Sequence, residues 1–172
     1  MRIIIDTREK PTATKRIEEE FTKQGVSFIR SKLPYGDYQS PDNPNLIIDR
    51  KQNLLELTAN VSSVPKKDEN GRIKRNSDGS VMTDLSRFTS ELRGAREFGY
   101  HLIILCEHGG QIRTLEDVKI WKNPRLKTSP LAMSGQRLYV VLNRLMLTYE
   151  FEIEFCDKRN TGKRIIEILQ RK

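Results

Sequence analysis

Apolar residues along this chain follow two rhythms: short branched runs, and longer stretches repeating every three to four positions. Arg2–Asp6 opens with three consecutive isoleucines, as expected of a strand covered on both faces. Pro11 with Thr12 or Thr14 starts a helix that Gly25 can close, with Ala13, Ile17 and Phe21 inward. Val26–Leu33 alternates as a half-exposed strand. Tyr35–Gln39 and Asn45–Lys51 form two strands or one hairpin around a turn at Ser40–Pro44. An amphipathic helix spans about Asp84 to Glu97 through Leu85, Phe88, Leu92 and Ala95. Strand Leu102–Cys106 follows, then a long helix Ser134–Tyr149, strand Phe151–Phe155 and helix Thr161–Gln170. Helices alternate with strands throughout, which predicts a single α/β sandwich around a central mixed sheet, covering residues 1–172.

Two segments lack this periodicity, and no internal repeat is read along the chain. Ser62–Thr83 is a basic insertion carrying Lys66, Lys67, Arg72, Lys74 and Arg75, with turn pairs at Asn70-Gly71 and Asp78-Gly79. It is either a solvated loop or an arm that contacts nucleic acid. Gly109–Pro130, with Trp121, Lys122, Arg125 and Lys127, borders the core or a substrate groove.

Charge changes the picture in one direction. Lys and Arg number 31 against 23 Asp and Glu, a net charge of +8 that favours a polyanionic partner. Cys106 and Cys156 each sit in an apolar run and read as reduced core thiols. His101 and His108 flank one strand without metal-type spacing, which argues against zinc. No apolar run approaches membrane-spanning length and the first residues form a strand, so neither a membrane nor secretion is expected.

The candidate chemistry lies between Gly36 and Lys51. Leu46-Ile47-Ile48 runs directly into Asp49-Arg50-Lys51, and residues two apart on a strand share a face. Asp49 and Lys51 therefore point one way and Arg50 the other. With Asp37 upstream, two carboxylates can hold a hard cation such as Mg²⁺. The lysine can position or deprotonate a water, a set suited to phosphodiester hydrolysis. The two carboxylates should also repel one another without a cation, raising their pKa values.

Together with Ile5-Asp6-Thr7-Arg8-Glu9 at the end of the first strand, Gly36-Asp37 and Asp49-Arg50-Lys51 resemble the nuclease domain of the XPF family, structure-specific DNA endonucleases of the PD-(D/E)XK superfamily. Asp6, Arg8, Glu9, Asp37, Asp49, Arg50 and Lys51 fall in order on that family's active-site pattern, with Asp49 where glutamate is usual. The resemblance extends to Asn53–Leu57, to the helix containing Arg87-Phe88, to His101–Glu107 and to Asn160–Ile166. It implies a restriction-endonuclease-like three-layer α/β sandwich, with Asp37, Asp49 and Asp6 as ligands of Mg²⁺ or Mn²⁺ and Lys51 as the catalytic lysine.

Some roles stay open. Arg8 and Glu9 either take part directly or form an internal salt bridge, and Arg50 either pairs structurally or meets a phosphate. Glu18, Glu19 and Glu20 are candidate additional acids or simply surface carboxylates. Lys66, Lys67, Arg72, Lys74, Arg75 and Arg87 are candidate nucleic-acid contacts. The implied partner is branched duplex or single-strand junction DNA of the kind met in repair and recombination, and the expected compartment is cytoplasmic for a bacterial or viral source, nuclear for a eukaryotic one. The family's helix-hairpin-helix repeats are not in this sequence, and Met1 directly before the first strand suggests a natural start. Pairing into a homodimer or heterodimer would then involve the helices Ser134–Tyr149 and Thr161–Gln170. A non-catalytic DNA-binding scaffold subunit is the alternative.

Overall fold

The three consecutive isoleucines of β1 (Arg2–Ile5) sit inside a mixed six-stranded sheet in a computed structural model that describes residues 1–171. The remaining strands are β2 (Ser27–Arg30), β3 (Tyr38–Ser40), β4 (Asn43–Lys51), β5 (His101–Glu107) and β6 (Glu152–Cys156). Their order is β2-β1-β3-β4-β5-β6, with β3 antiparallel to both neighbours and the other pairs parallel. The helices are α1 (Pro11–Lys23), α2 (Leu54–Asn60), α3 (Asp84–Glu97), α4 (Gly135–Tyr149) and α5 (Thr161–Leu169).

Strand alternation divides the interior into two cores, giving the expected three-layer sandwich. On one face Ile3, Ile5, Ile48 and Leu105 pack with Phe21 of α1 and Ile165 and Ile168 of α5. On the other, Ile47, Ile104 and Cys106 pack with Leu57 of α2, Phe88 and Leu92 of α3, and Leu138 and Leu142 of α4. Cys106 and Cys156 belong to different cores, so they remain separate buried thiols.

Several elements differ from the sequence expectation for local reasons. On α1, Ala13 is exposed and Thr14 takes the inward place. Its hydroxyl is engaged by Glu18 and Arg30 (2.7 and 2.5 Å), which satisfies the buried oxygen. The half-exposed strand shortens to β2, an edge strand with Ile29 still 45% exposed. Tyr35–Asp37 is a bend rather than strand, and β4 begins earlier than expected, next to a register shift at Gln39/Ser40. Ser134 caps α4, accepting from the Arg137 N–H. The apolar stripe of α5 is consumed by the sheet and α1, so of the two helices expected to pair with another chain only α4 leaves large apolar residues outward, Val140 and Leu147.

Candidate active site

The C-terminal end of β4 delivers its charged triplet to two different layers. Ile47, Asp49 and Lys51 face α2 and α3, and Lys51 Nζ donates to Asp49 Oδ1 at 2.8 Å. Asp37 joins them from the bend before β3. Its N–H donates to Ile48 O at 2.7 Å, its carbonyl accepts from Asp6 N at 2.8 Å, and its Oδ2 accepts from Arg50 N at 2.7 Å. Gly36 makes this bend possible. Its φ is +66°, and a Cβ there would come within 2.9 Å of Ile48 O. Asp37, Asp49 and Lys51 line one pocket of about 220 Å³, closed on the other side by Arg87, Phe88, Glu91 and Leu92 of α3.

The other candidates flank this pocket. Arg8 lines it, but the Asp6 carboxylate is buried and saturated. Asp6 accepts from Arg8 N and Nε (both 2.7 Å) and Nη2 (3.2 Å), and from Leu33 N (2.6 Å). The resemblance implies Asp6 as a metal ligand beside Asp37 and Asp49, but its carboxylate is fully buried, does not line the pocket, and braces the loop that carries Gly36. Arg8 Nη2 extends that brace to the Leu33 and Gly36 carbonyls. Glu9 and Arg50 meet on the opposite face of the sheet at 2.7 Å, and Arg50 also holds Glu107 at 3.0 Å. None of Glu18, Glu19 and Glu20 lines the pocket; Glu18 instead pairs with Arg30.

Two further carboxylates, outside the pattern that the resemblance marks, also flank this region: Glu91 in the pocket lining and Glu107 on Arg50. Glu107 closes a buried run just as the β4 triplet does, a carboxylate signal of the same kind. Glu91 carried no signal beyond its place one turn after Arg87.

Electrostatics follow from this packing. Burial, then the charges of Asp49 and Glu9, push the Asp37 carboxyl well above its ordinary range. Burial disfavours the Lys51 charge, but Asp49 and Asp37 outweigh it, so its pKa lies above the usual lysine value and it stays an ammonium. Two oxygen-only ligands under mutual repulsion fit a hard divalent cation that keeps part of its water shell. No cluster of three or more acidic, histidine or cysteine ligands occurs among the described residues, so the fit is to a two-carboxylate site.

The basic insertion proves to be a tandem repeat, correcting the reading that none exists. Lys66-Lys67-Asp68-Glu69-Asn70-Gly71-Arg72-Ile73 is followed by Lys74-Arg75-Asn76-Ser77-Asp78-Gly79-Ser80-Val81. Each copy is a hairpin with a glycine at positive φ, Gly71 at 78° and Gly79 at 82°. Equivalent bonds close them, Gly71 N to Asp68 O and Gly79 N to Asn76 O, both 3.0 Å. Lys74 N bonds Lys66 O, Met82 N bonds Lys74 O and Lys66 N bonds Met82 O (2.8, 2.9 and 2.9 Å), a closed ring across three segments. Lys67, Arg72, Lys74 and Arg75 stay exposed, while Lys66 pairs with Asp84 at 2.7 Å. Arg87 is also exposed, beside Asp84 and Glu91.

Residues 5–169 match the family model described as the ERCC4 domain. No curated protein sequence matches the chain at a significant level. Among solved structures, the chain is similar to XPF from Aeropyrum pernix, with a TM-score of 0.60 and 17% identity over 99% of this chain and 64% of that one. XPF from Aeropyrum pernix in complex with DNA gives 0.58 and 20%, over 98% and 63%. At these identities the likeness is one of fold, and the chain spans under two thirds of either structure.

Proposed function

Because the chain belongs to the ERCC4 domain family, we propose that it is a divalent-metal-dependent DNA endonuclease acting on branched or flapped DNA. The observation that carries this reading is the convergence of Asp37, Asp49 and Lys51 in one pocket. Asp37 and Asp49 hold the cation in this reading. Oδ2 of Asp37 is fixed by the Arg50 N–H, which leaves Oδ1 for other partners. A bound Mg²⁺ or Mn²⁺ supplies Lewis acidity, activating water and offsetting phosphate charge. Lys51, kept cationic by Asp49, orients the attacking water or neutralises the phosphate rather than abstracting a proton. Asp6, Arg8, Glu9 and Arg50 hold the strand ends in register around this pair. Arg87 and the exposed Lys67, Arg72, Lys74 and Arg75 supply phosphate contacts, whose affinity falls with salt.

The test is incubation of the purified protein with flap, fork, nicked and four-way DNA. Cutting is expected with Mg²⁺ or Mn²⁺ and none with EDTA. Binding to branched DNA without metal-dependent cutting of any substrate would leave a DNA-binding scaffold instead.

A further inference from the structure

The repeated hairpins stand between two depressions. One, bordered by Lys66 and Ser80, runs along α3 into the catalytic pocket, because Arg87 and Glu91 line both. The other is a wider cleft of about 760 Å³ between the start of the insertion, the end of α2 and the turn Pro124–Lys127.

The wider cleft has the chemistry of a phosphate backbone site. Lys66, Arg125 and Arg137 line it together with Ser62, Thr128 and Ser129. The single bordering carboxylate, Asp84, is already neutralised by Lys66 at 2.7 Å. Arg125 and Arg137 are exposed, and their side chains have no carboxylate partner among the described residues. Their backbones are nevertheless fixed. The side chain of Asn123, only 4% exposed, accepts from Arg125 N (3.0 Å) and donates to Met133 O (2.8 Å), pinning both ends of the lining loop. Ser134 holds Arg137 N in the same way. Val64 and Leu131 stand exposed at the rim, apolar surfaces for sugar or base faces.

We propose that this second cleft binds the phosphodiester backbone of a different arm of the same nucleic acid whose cut site occupies the catalytic pocket, with the hairpins dividing the arms. The inference rests on the nuclease reading for the cut site and adds the substrate feature that would favour a branch over a linear duplex. Guanidiniums without acid partners, on fixed backbone in a concave hydroxyl-lined surface, suit repeated phosphates better than a small neutral ligand.

The test is Arg125→Gln/Arg137→Gln, measured by fluorescence anisotropy in EDTA against a forked junction and a linear duplex. Fork affinity should fall about tenfold, with the salt slope shallower by about 1–2, since each phosphate contact contributes ~0.9. Linear-duplex affinity and the thermal midpoint should hold, and Arg125→Lys/Arg137→Lys should recover most of the fork binding. No loss on the fork, or equal loss on both substrates, overturns the proposal. If the wild type cuts DNA while the variant is unaffected, only the second cleft falls; if the wild type neither binds nor cuts DNA, the nuclease reading falls and this inference with it.

Discussion

The backbone N–H of Arg50 donates a 2.7 Å hydrogen bond to Oδ2 of Asp37, while the Arg50 side chain lies on the opposite face of the sheet between Glu9 and Glu107. One residue thereby fixes a candidate metal ligand with its main chain and is itself fixed by a largely buried ion triad. The two faces of β4 divide the labour: one carries the candidate site residues Asp49 and Lys51, the other holds β4 still through the Arg50 ion pairs.

That triad predicts an asymmetric stability response. Glu107 is 1% exposed in its side chain, and its Oε2 already lacks a hydrogen-bond partner. Arg50→Met would strand this charge and should cost about 3–5 kcal/mol, the scale for breaking a buried pair. Glu9, 17% exposed, can hydrate once released. Arg50→Met/Glu107→Leu should therefore recover most of the loss in urea denaturation. A double variant no more stable than the single would show that Glu107 is not the source of the cost.

Asp6 predicts a pH effect. Burial raises its pKa, but the Arg8 side chain and the Leu33 and Arg8 amides outweigh that, and the net value is lowered from 3.8. A carboxyl lowered on folding stabilises above its unfolded pKa, and that contribution is lost as pH falls through the folded value. Asp6→Asn should thus be less stable at neutral pH and should lose less stability than the wild type on acidification below about pH 4. Because the carboxylate is saturated, the variant should keep the thermal shift that Mg²⁺ produces; losing that shift would return Asp6 to the ligand set.

Asp37 should behave in the opposite sense. A carboxyl raised on folding costs stability progressively as pH rises from the ordinary value of 3.8 through the folded one. Asp37→Asn removes that cost, so the cation-free protein should melt higher, by about 2–4 °C for each kcal/mol relieved. The same change removes a ligand, so the variant should neither cut DNA nor gain stability from Mg²⁺. A variant that melts lower in EDTA would contradict the repulsion.

How much of this was legible in the sequence depends on range. The division of Asp49 and Lys51 from Arg50 follows from strand alternation alone, and the packing agrees with it. The saturation of Asp6 does not, because its Leu33 donor lies far along the chain and only the sheet brings the two together. Tyr35–Asp37 read as strand because its residue types suit one, whereas the positive φ at Gly36 and its close approach to Ile48 exclude it. The tandem hairpin is faint in the sequence because only Lys66 with Lys74 and Gly71 with Gly79 match in identity, while pairs such as Lys67 with Arg75, Asp68 with Asn76 and Ile73 with Val81 keep only a related side-chain type. Backbone bonding makes the equivalence plain.

Lys51 should separate catalysis from binding. Its ammonium sits on Asp49, so Lys51→Ala leaves both candidate ligands in place and removes the group that, in the proposed mechanism, orients water or screens phosphate. Cleavage should slow at least ~100-fold, the scale for one acid-base or positioning group. Mg²⁺ should still raise the thermal midpoint, and affinity for forked DNA should stay within about threefold, because one buried cation contributes little to counterion release. Lys51→Arg restores the charge but not the compact ammonium geometry, and should recover only part of the lost activity. Cleavage by Lys51→Ala at the wild-type rate would remove this lysine from the mechanism and leave the two carboxylates alone to account for the chemistry.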